Sequence, residues 1–122
     1  MANVLLVEPD IQLAEIIQKY FENRHNIIVC NNAQNAITLA DTHQPELVIL
    51  ELAIPEHNGV EFLNEFRSYT DWTKVPVIIY SQIPIEDTGL SKPEWAKLNI
   101  TEYLYKSTNS LKNLSGAVEQ VL

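Results

Sequence analysis

Pro45-Glu46-Leu47-Val48-Ile49-Leu50-Glu51 is the stretch on which the fold turns. Leu47 to Leu50 are four apolar residues in a row, too few for a helix and without polar alternation. A strand of that kind is covered on both faces, as a parallel strand between two helical layers is. The run closes on an acid, Glu51, and Pro55 to Gly59 follow as turn chemistry. Glu51 therefore stands at the carboxyl end of a buried strand.

The same alternation extends outward in both directions. Upstream, Val4 to Val7 is a short strand. Ile11 to Asn23 is a helix, with Leu13, Ile16, Ile17, Tyr20 and Phe21 as its apolar stripe and Asp10 as its cap. Ile27 to Cys30 is a second strand, and Asn32 caps a helix over Ala33 to Thr42 that turns Ala36, Ile37 and Ala40 to one side. Downstream, Val60, Leu63 and Phe66 mark a third helix, and Pro76 introduces a fourth strand, Val77 to Tyr80. Ser91-Lys92-Pro93-Glu94 is a capping box opening a short helix through Leu98. Tyr103 to Tyr105 is a fifth strand. A last helix runs from about Ser110 to the end, with Leu111, Leu114, Val118 and Val121 inside. Five β-α units in succession predict an α/β fold, a parallel sheet with helices on both faces and right-handed crossovers.

Bulk properties set the limits. The 122 residues suit one domain, residues 1–122, and 46% hydrophobic content is enough for a core. A formal charge of −8 argues against direct nucleic-acid binding, which needs a basic surface. No apolar run approaches the ~18 residues of a membrane span. The N-terminus carries no basic region or cleavage site, so a cytoplasmic setting is the default expectation. The single cysteine, Cys30, lies in an apolar run and is expected to be a buried small hydrophobe. His25, His43 and His57 are widely separated, in expected turns or helix ends, and give no metal-site spacing. Trp72 is expected to pack over the third helix. Tyr80, Tyr103 and Tyr105 are expected to be amphipathic core residues.

In parallel sheets, ligands bind beyond the carboxyl ends of the strands. Strand one ends in Glu8-Pro9-Asp10, strand three in Glu51, strand four in Ser81 and strand five in Lys106. Any one of these is an ordinary polar cap. Acid, acid, hydroxyl and lysine at four strand ends converge on one edge of the sheet, and that combination points to a site.

This constellation resembles the CheY-like receiver domain of response regulators, over essentially the whole chain. Val4 to Asp10 is similar to the family's opening strand and acidic cluster. Pro45 to Glu51 is similar to the strand that ends in the phospho-accepting aspartate, and Pro55 and Gly59 match its loop proline and glycine. Val75 to Ser81 resembles the fourth strand with its hydroxyl. Glu102 to Lys106 resembles the fifth, with Tyr103 at the switch aromatic and Lys106 at the lysine. The resemblance implies a flavodoxin-like, three-layer sandwich with strand order 2-1-3-4-5. It also implies a phosphosite surrounded by Glu8, Asp10, Glu51, Ser81 and Lys106, a switch pair of Ser81 and Tyr103, and a role in two-component phosphorelay signalling.

The sequence departs from the family at the site itself. The family's nucleophile is an aspartate that works with Mg²⁺; here the position holds Glu51. The extra methylene carries the carboxylate forward by more than about 1 Å, which near-attack and octahedral Mg²⁺ geometry tolerate poorly. Pro9, which has no ligand atom, stands where the second acid is expected. Ser107 replaces the usual proline after the lysine, and Asn99-Ile100 replaces the usual Gly-Ala before the fifth strand. The segment between Ser81 and Lys106 is also longer than usual, by about three residues on the family's pattern.

Three readings follow. In the first, Glu51 pairs with Lys106 or Ser81 across the metal site, no metal or other cofactor is expected, and the domain is a pseudo-receiver acting by protein-protein interaction. Its partners would be a kinase, an output domain or another receiver, with a homodimer through the fourth helix, fifth strand and fifth helix as one form. In the second, a working receiver holds a weak Mg²⁺ on Glu8, Asp10, Glu51 and the Ala53 carbonyl and accepts phosphate on an unusual ligand such as Asp10. The third is a small enzyme on the same fold. A flavodoxin needs a glycine- and hydroxyl-rich loop after strand one, whereas Glu8 to Gln12 is acidic and lacks glycine. An aspartate phosphatase needs Asp-x-Asp there, and Glu8-Pro9-Asp10 is only a faint echo of it.

Overall fold

The computed structural model describes residues 1–55 and 58–122. Its strands are β1 (Ala2–Val7), β2 (His25–Cys30), β3 (Leu47–Leu50), β4 (Val77–Ser81) and β5 (Glu102–Tyr105). Its helices are α1 (Ile11–Phe21), α2 (Ala33–His43), α3 (Gly59–Ser68), α4 (Lys92–Leu98) and α5 (Leu111–Val121). The strands form one parallel sheet in the order β2-β1-β3-β4-β5, as expected.

The apolar runs dictate this arrangement. All four residues of β3 and all five of β4 are buried, because these central strands are covered on both faces. Alternate residues feed two cores. Leu5, Val7, Val48, Leu50, Val77 and Ile79 pack under α2, α3 and α4. Val4, Leu6, Leu47, Ile49 and Ile78 pack under α1 and α5. Each helix starts on the cap its sequence supplies. Asp10, Asn32, Asn58, Ser91 and Ser110 each accept from a backbone N–H three residues on, and Ser91 completes its capping box with Glu94.

Two local expectations are corrected. α1 ends at Phe21, and its buried residues are Ala14, Ile17 and Phe21, while Ile16 is 54% and Tyr20 43% exposed. The apolar residues there cover more of the helix circumference than the sheet does, so composition overstated the buried stripe. His25 opens strand β2 rather than lying in a turn. His57 lies outside the described residues.

Two residues fix the less regular half. Asn99 adopts the left-handed conformation that ends α4, with φ 53°, a conformation asparagine tolerates. Arg67, in the last turn of α3, donates to the carbonyls of Leu98, Asn99 and Trp72 at 2.9, 3.1 and 2.6 Å. It ties the ends of α4 and of the 3-10 turn Thr70–Trp72 to α3. Trp72 is buried and stacks on Phe66 with ring centroids 4.9 Å apart, consistent with packing over α3. No helix among the described residues is long and apolar enough to cross a membrane.

Candidate functional site

The parallel sheet brings Glu8, Glu51, Ser81 and Lys106 together at the carboxyl ends of β1, β3, β4 and β5. Glu8 and Glu51 are each only 2% exposed, and Ser81 is fully buried. The Lys106 ammonium lies between the two acids, donating to Glu8 Oε1 at 2.6 Å and to Glu51 Oε1 at 2.7 Å.

Glu51 gathers four donors in all. Oε1 accepts from Lys106 and from the Gln82 N–H at 3.0 Å. Oε2 accepts from the Ala53 N–H at 3.0 Å and from the Ser81 hydroxyl. The Ser81 oxygen in turn accepts from the Ile83 N–H at 3.0 Å. Glu51 thereby contacts both the fourth strand end, at Ser81 and Gln82, and the fifth, at Lys106. Glu8 Oε2 accepts from the Asp10 N–H at 3.1 Å, and the Glu8 carbonyl accepts from Asn31 Nδ2 at 2.9 Å.

The two acids differ electrostatically although they share one ammonium. Burial pushes Glu8 above the ordinary carboxylate value, and Lys106 offsets this only in part. Burial also works to raise Glu51, but the Ala53 N–H, the Lys106 ammonium, the Ser81 hydroxyl and the Gln82 N–H together bring it below its ordinary value. Burial works to lower Lys106, and its two acid partners more than reverse that. Lys106 is ion-paired with both acids, and the extra N–H and O–H donors on Glu51 set it below Glu8.

Asp10, expected among the surrounding acids, is placed elsewhere. Its carboxylate is exposed and accepts from the Leu13 N–H at 3.2 Å as the cap of α1. The physical reason is its position one residue beyond the strand end, where the chain is already turning into the helix. Tyr103 is half-buried and donates its hydroxyl to the Ile83 carbonyl at 2.6 Å. Burial, and then the nearby Glu51 charge, push its phenol up to about 12. Through Ile83 the tyrosine and Ser81 hold the same two-residue stretch after β4. Trp95 meets Tyr103 edge-on with ring centroids 5.5 Å apart.

The described residues offer a poor fit to Mg²⁺. A divalent ion needs several oxygen ligands in octahedral array. Glu8 and Glu51 already spend their oxygens on N–H, O–H and ammonium donors, and Pro9 contributes no side-chain oxygen. No group of three or more His, Cys, Asp or Glu among the described residues is arranged to hold a metal ion. Ala53 faces Glu51 with its N–H.

Reading residue types did not anticipate the Ala53 and Gln82 N–H donors, since backbone groups leave no mark in composition. Tyr80 is the amphipathic core residue expected, its ring buried and its hydroxyl donating to the Asn109 carbonyl at 3.1 Å, which tethers the chain that follows Lys106. Ser107 lies in a 3-10 turn, Lys106–Thr108, and no peptide bond among the described residues is cis.

The family model of the response regulator receiver domain matches residues 4–119. The chain belongs to this family. The receiver is 32% identical over 82 residues to the KDP operon transcriptional regulatory protein KdpE of Escherichia coli, covering 66% of this chain and 35% of KdpE. It is 28% identical over 123 residues to the heme response regulator HssR of Staphylococcus saprophyticus, covering all of this chain and 52% of HssR. The receiver thus spans about a third to a half of the length of these two curated relatives. Among solved structures, chemotaxis protein CheY4 of Vibrio cholerae matches with a TM-score of 0.87 at 19% identity, covering 100% of this chain and 99% of CheY4. At that identity the likeness bears on the fold.

Proposed function

We propose that this chain is a pseudo-receiver, a two-component signalling module that acts by protein-protein interaction without phosphorylation at residue 51 and without turnover of a substrate. One observation carries the reading: the Glu51 carboxylate accepts from a lysine ammonium, a serine hydroxyl and two backbone N–H groups at once. These are the donor types that stabilise a transferring phosphoryl group. With its added methylene, Glu51 puts its own oxygens on them, leaving neither a free nucleophile nor open donors for an incoming phosphate. Ser81 and Tyr103 are engaged at the same time, which supports a single fixed state of the switch pair. The poor fit to Mg²⁺ supports a module that works with no metal or other cofactor.

The partner, on this reading, is a protein: a kinase, an output domain, another receiver or a second copy of this chain. The α4-β5 side supplies a surface for it, a cavity of about 390 Å³ lined by Ile85, Trp95, Ile100 and Tyr103 among others. A homodimer through α4, β5 and α5 would use this surface. Membership of the receiver family and the absence of a spanning helix among the described residues support a cytoplasmic setting.

Incubation with acetyl phosphate and Mg²⁺, read by intact mass, tests the reading. The expected result is an unchanged mass. A stoichiometric, base-labile adduct would overturn it in favour of a Mg²⁺-dependent phospho-accepting receiver.

A further inference from the structure

A groove between α2 and α3, on the sheet face opposite α1 and α5, plays no part in the cleft. Two cavities of about 330 Å³ each lie along it, and Ile37 lines both. Buried Phe62 lines one; Trp72 and Tyr69 line the other. The aromatic wall is packed from behind, since Trp72 stacks on Phe66 at 4.9 Å and meets Tyr69 at 4.8 Å, while Tyr69 stays 43% exposed. Asp41, Glu65 and Asp71 are exposed along the lining, and no lysine or arginine lines either cavity. None of these three carboxylates has an ion-pair partner among the described residues.

We propose that this groove docks a basic amphipathic segment of a partner protein. An apolar side chain of the segment enters the cavity at Ile37 and Phe62, and a lysine or arginine lies over the Tyr69 ring between Asp41 and Asp71. The charge pattern selects this occupant. A groove with Asp41, Glu65 and Asp71 exposed along it and no lysine or arginine among its described lining residues attracts a positively charged segment and repels nucleic acid. An exposed tyrosine face adds a cation–π contact, and the apolar floor adds the area that a purely ionic ligand cannot use. The surface is independent of Glu51, so it holds whether or not residue 51 is phosphorylated.

The test titrates the ¹⁵N-labelled full chain with an acetylated, amidated peptide of alternating Leu and Lys, and with its Leu and Glu counterpart. The Lys peptide is expected to shift the amides of Ile37, Thr38 and Asp71 and the Trp72 indole; the Glu peptide is expected to leave them in place. Removing three carboxylates in the groove, D41N with E65Q and D71N, should weaken the Lys peptide about tenfold. Removing three elsewhere, E15Q with E22Q and E102Q, should not. Equal weakening by both triple variants would reduce the effect to net charge and overturn the proposal. So would shifts centred on another face. Self-association of the chain alone, abolished by the groove variant, would assign the groove to a second copy and overturn it as well.

Discussion

Lys106 is the residue on which the cleft depends, because among the described residues it alone offers an ammonium to two acids that are each 2% exposed. Lys106→Met should cost about 3–5 kcal/mol at neutral pH, the usual cost of leaving buried charge without its partner. Part of that loss should return in acid, since burial holds Glu8 above its ordinary value and its protonation removes one of the two stranded charges. Chemical denaturation at neutral and acid pH measures both effects. Glu51→Gln should be milder, about 1–3 kcal/mol, because Lys106 keeps Glu8. Its pH dependence has a definite sign. A carboxyl held below its ordinary value in the folded state stabilises above the unfolded value, and that stabilisation is lost as pH falls through the folded one. The wild-type advantage over Glu51→Gln should therefore shrink in acid; an advantage that grew in acid would show that Glu51 is held protonated. Lys106, raised in the folded state, contributes fully below the ordinary lysine value and loses its contribution as pH rises through the folded one.

Among the elements, α3 shows how the first residue of a helix can matter through proximity alone. A Cβ at Gly59 would sit 2.7 Å from the Leu52 Cα and 3.1 Å from the Glu51 carbonyl oxygen. Gly59→Ala gains helix propensity yet should destabilise, by about 1–3 kcal/mol, because the close neighbour is backbone that follows Glu51. Thermal unfolding against wild type measures it, and a stabilised variant would show that the two segments separate freely. The elements were legible to different degrees. Strands such as Leu47 to Leu50 announced themselves because burial on both faces leaves no polar residue in the run. Caps such as Asp10 and Ser91 were equally plain, because a short oxygen-bearing side chain before an apolar period has few other uses. The exposed side of α1 was not, since Ile16 and Tyr20 carry the same apolar signal as buried residues and only the width of the sheet separates them. The Arg67 clamp was equally hidden, because its three acceptors are backbone carbonyls, two of them more than thirty residues away.

The whole molecule is a receiver scaffold whose strand ends were foreseen as a site, with the side-chain pairing of Glu51 foreseen and its backbone donors not. Four side chains at the ends of β1, β3, β4 and β5 could be brought together by topology alone. The pairing of Glu51 with Lys106 and Ser81 followed from the residue types at those strand ends, whereas the Ala53 and Gln82 N–H donors depend on backbone placement that no residue pattern encodes. The scaffold makes a further prediction about Tyr103. Its hydroxyl ties β5 to the stretch after β4, so Tyr103→Phe should cost about 0.5–1.5 kcal/mol in denaturation and speed amide exchange around Ile83. Unchanged exchange would mean that the tyrosine does not brace that stretch. The wiring as a whole is tested most directly by following the side-chain carboxyl ¹³C resonances of Glu8 and Glu51 against pH, with and without millimolar Mg²⁺. Glu51 should titrate below Glu8, and neither resonance should respond to the metal. A Glu51 signal that moves on adding Mg²⁺, or titrates above Glu8, would contradict an internally filled cleft.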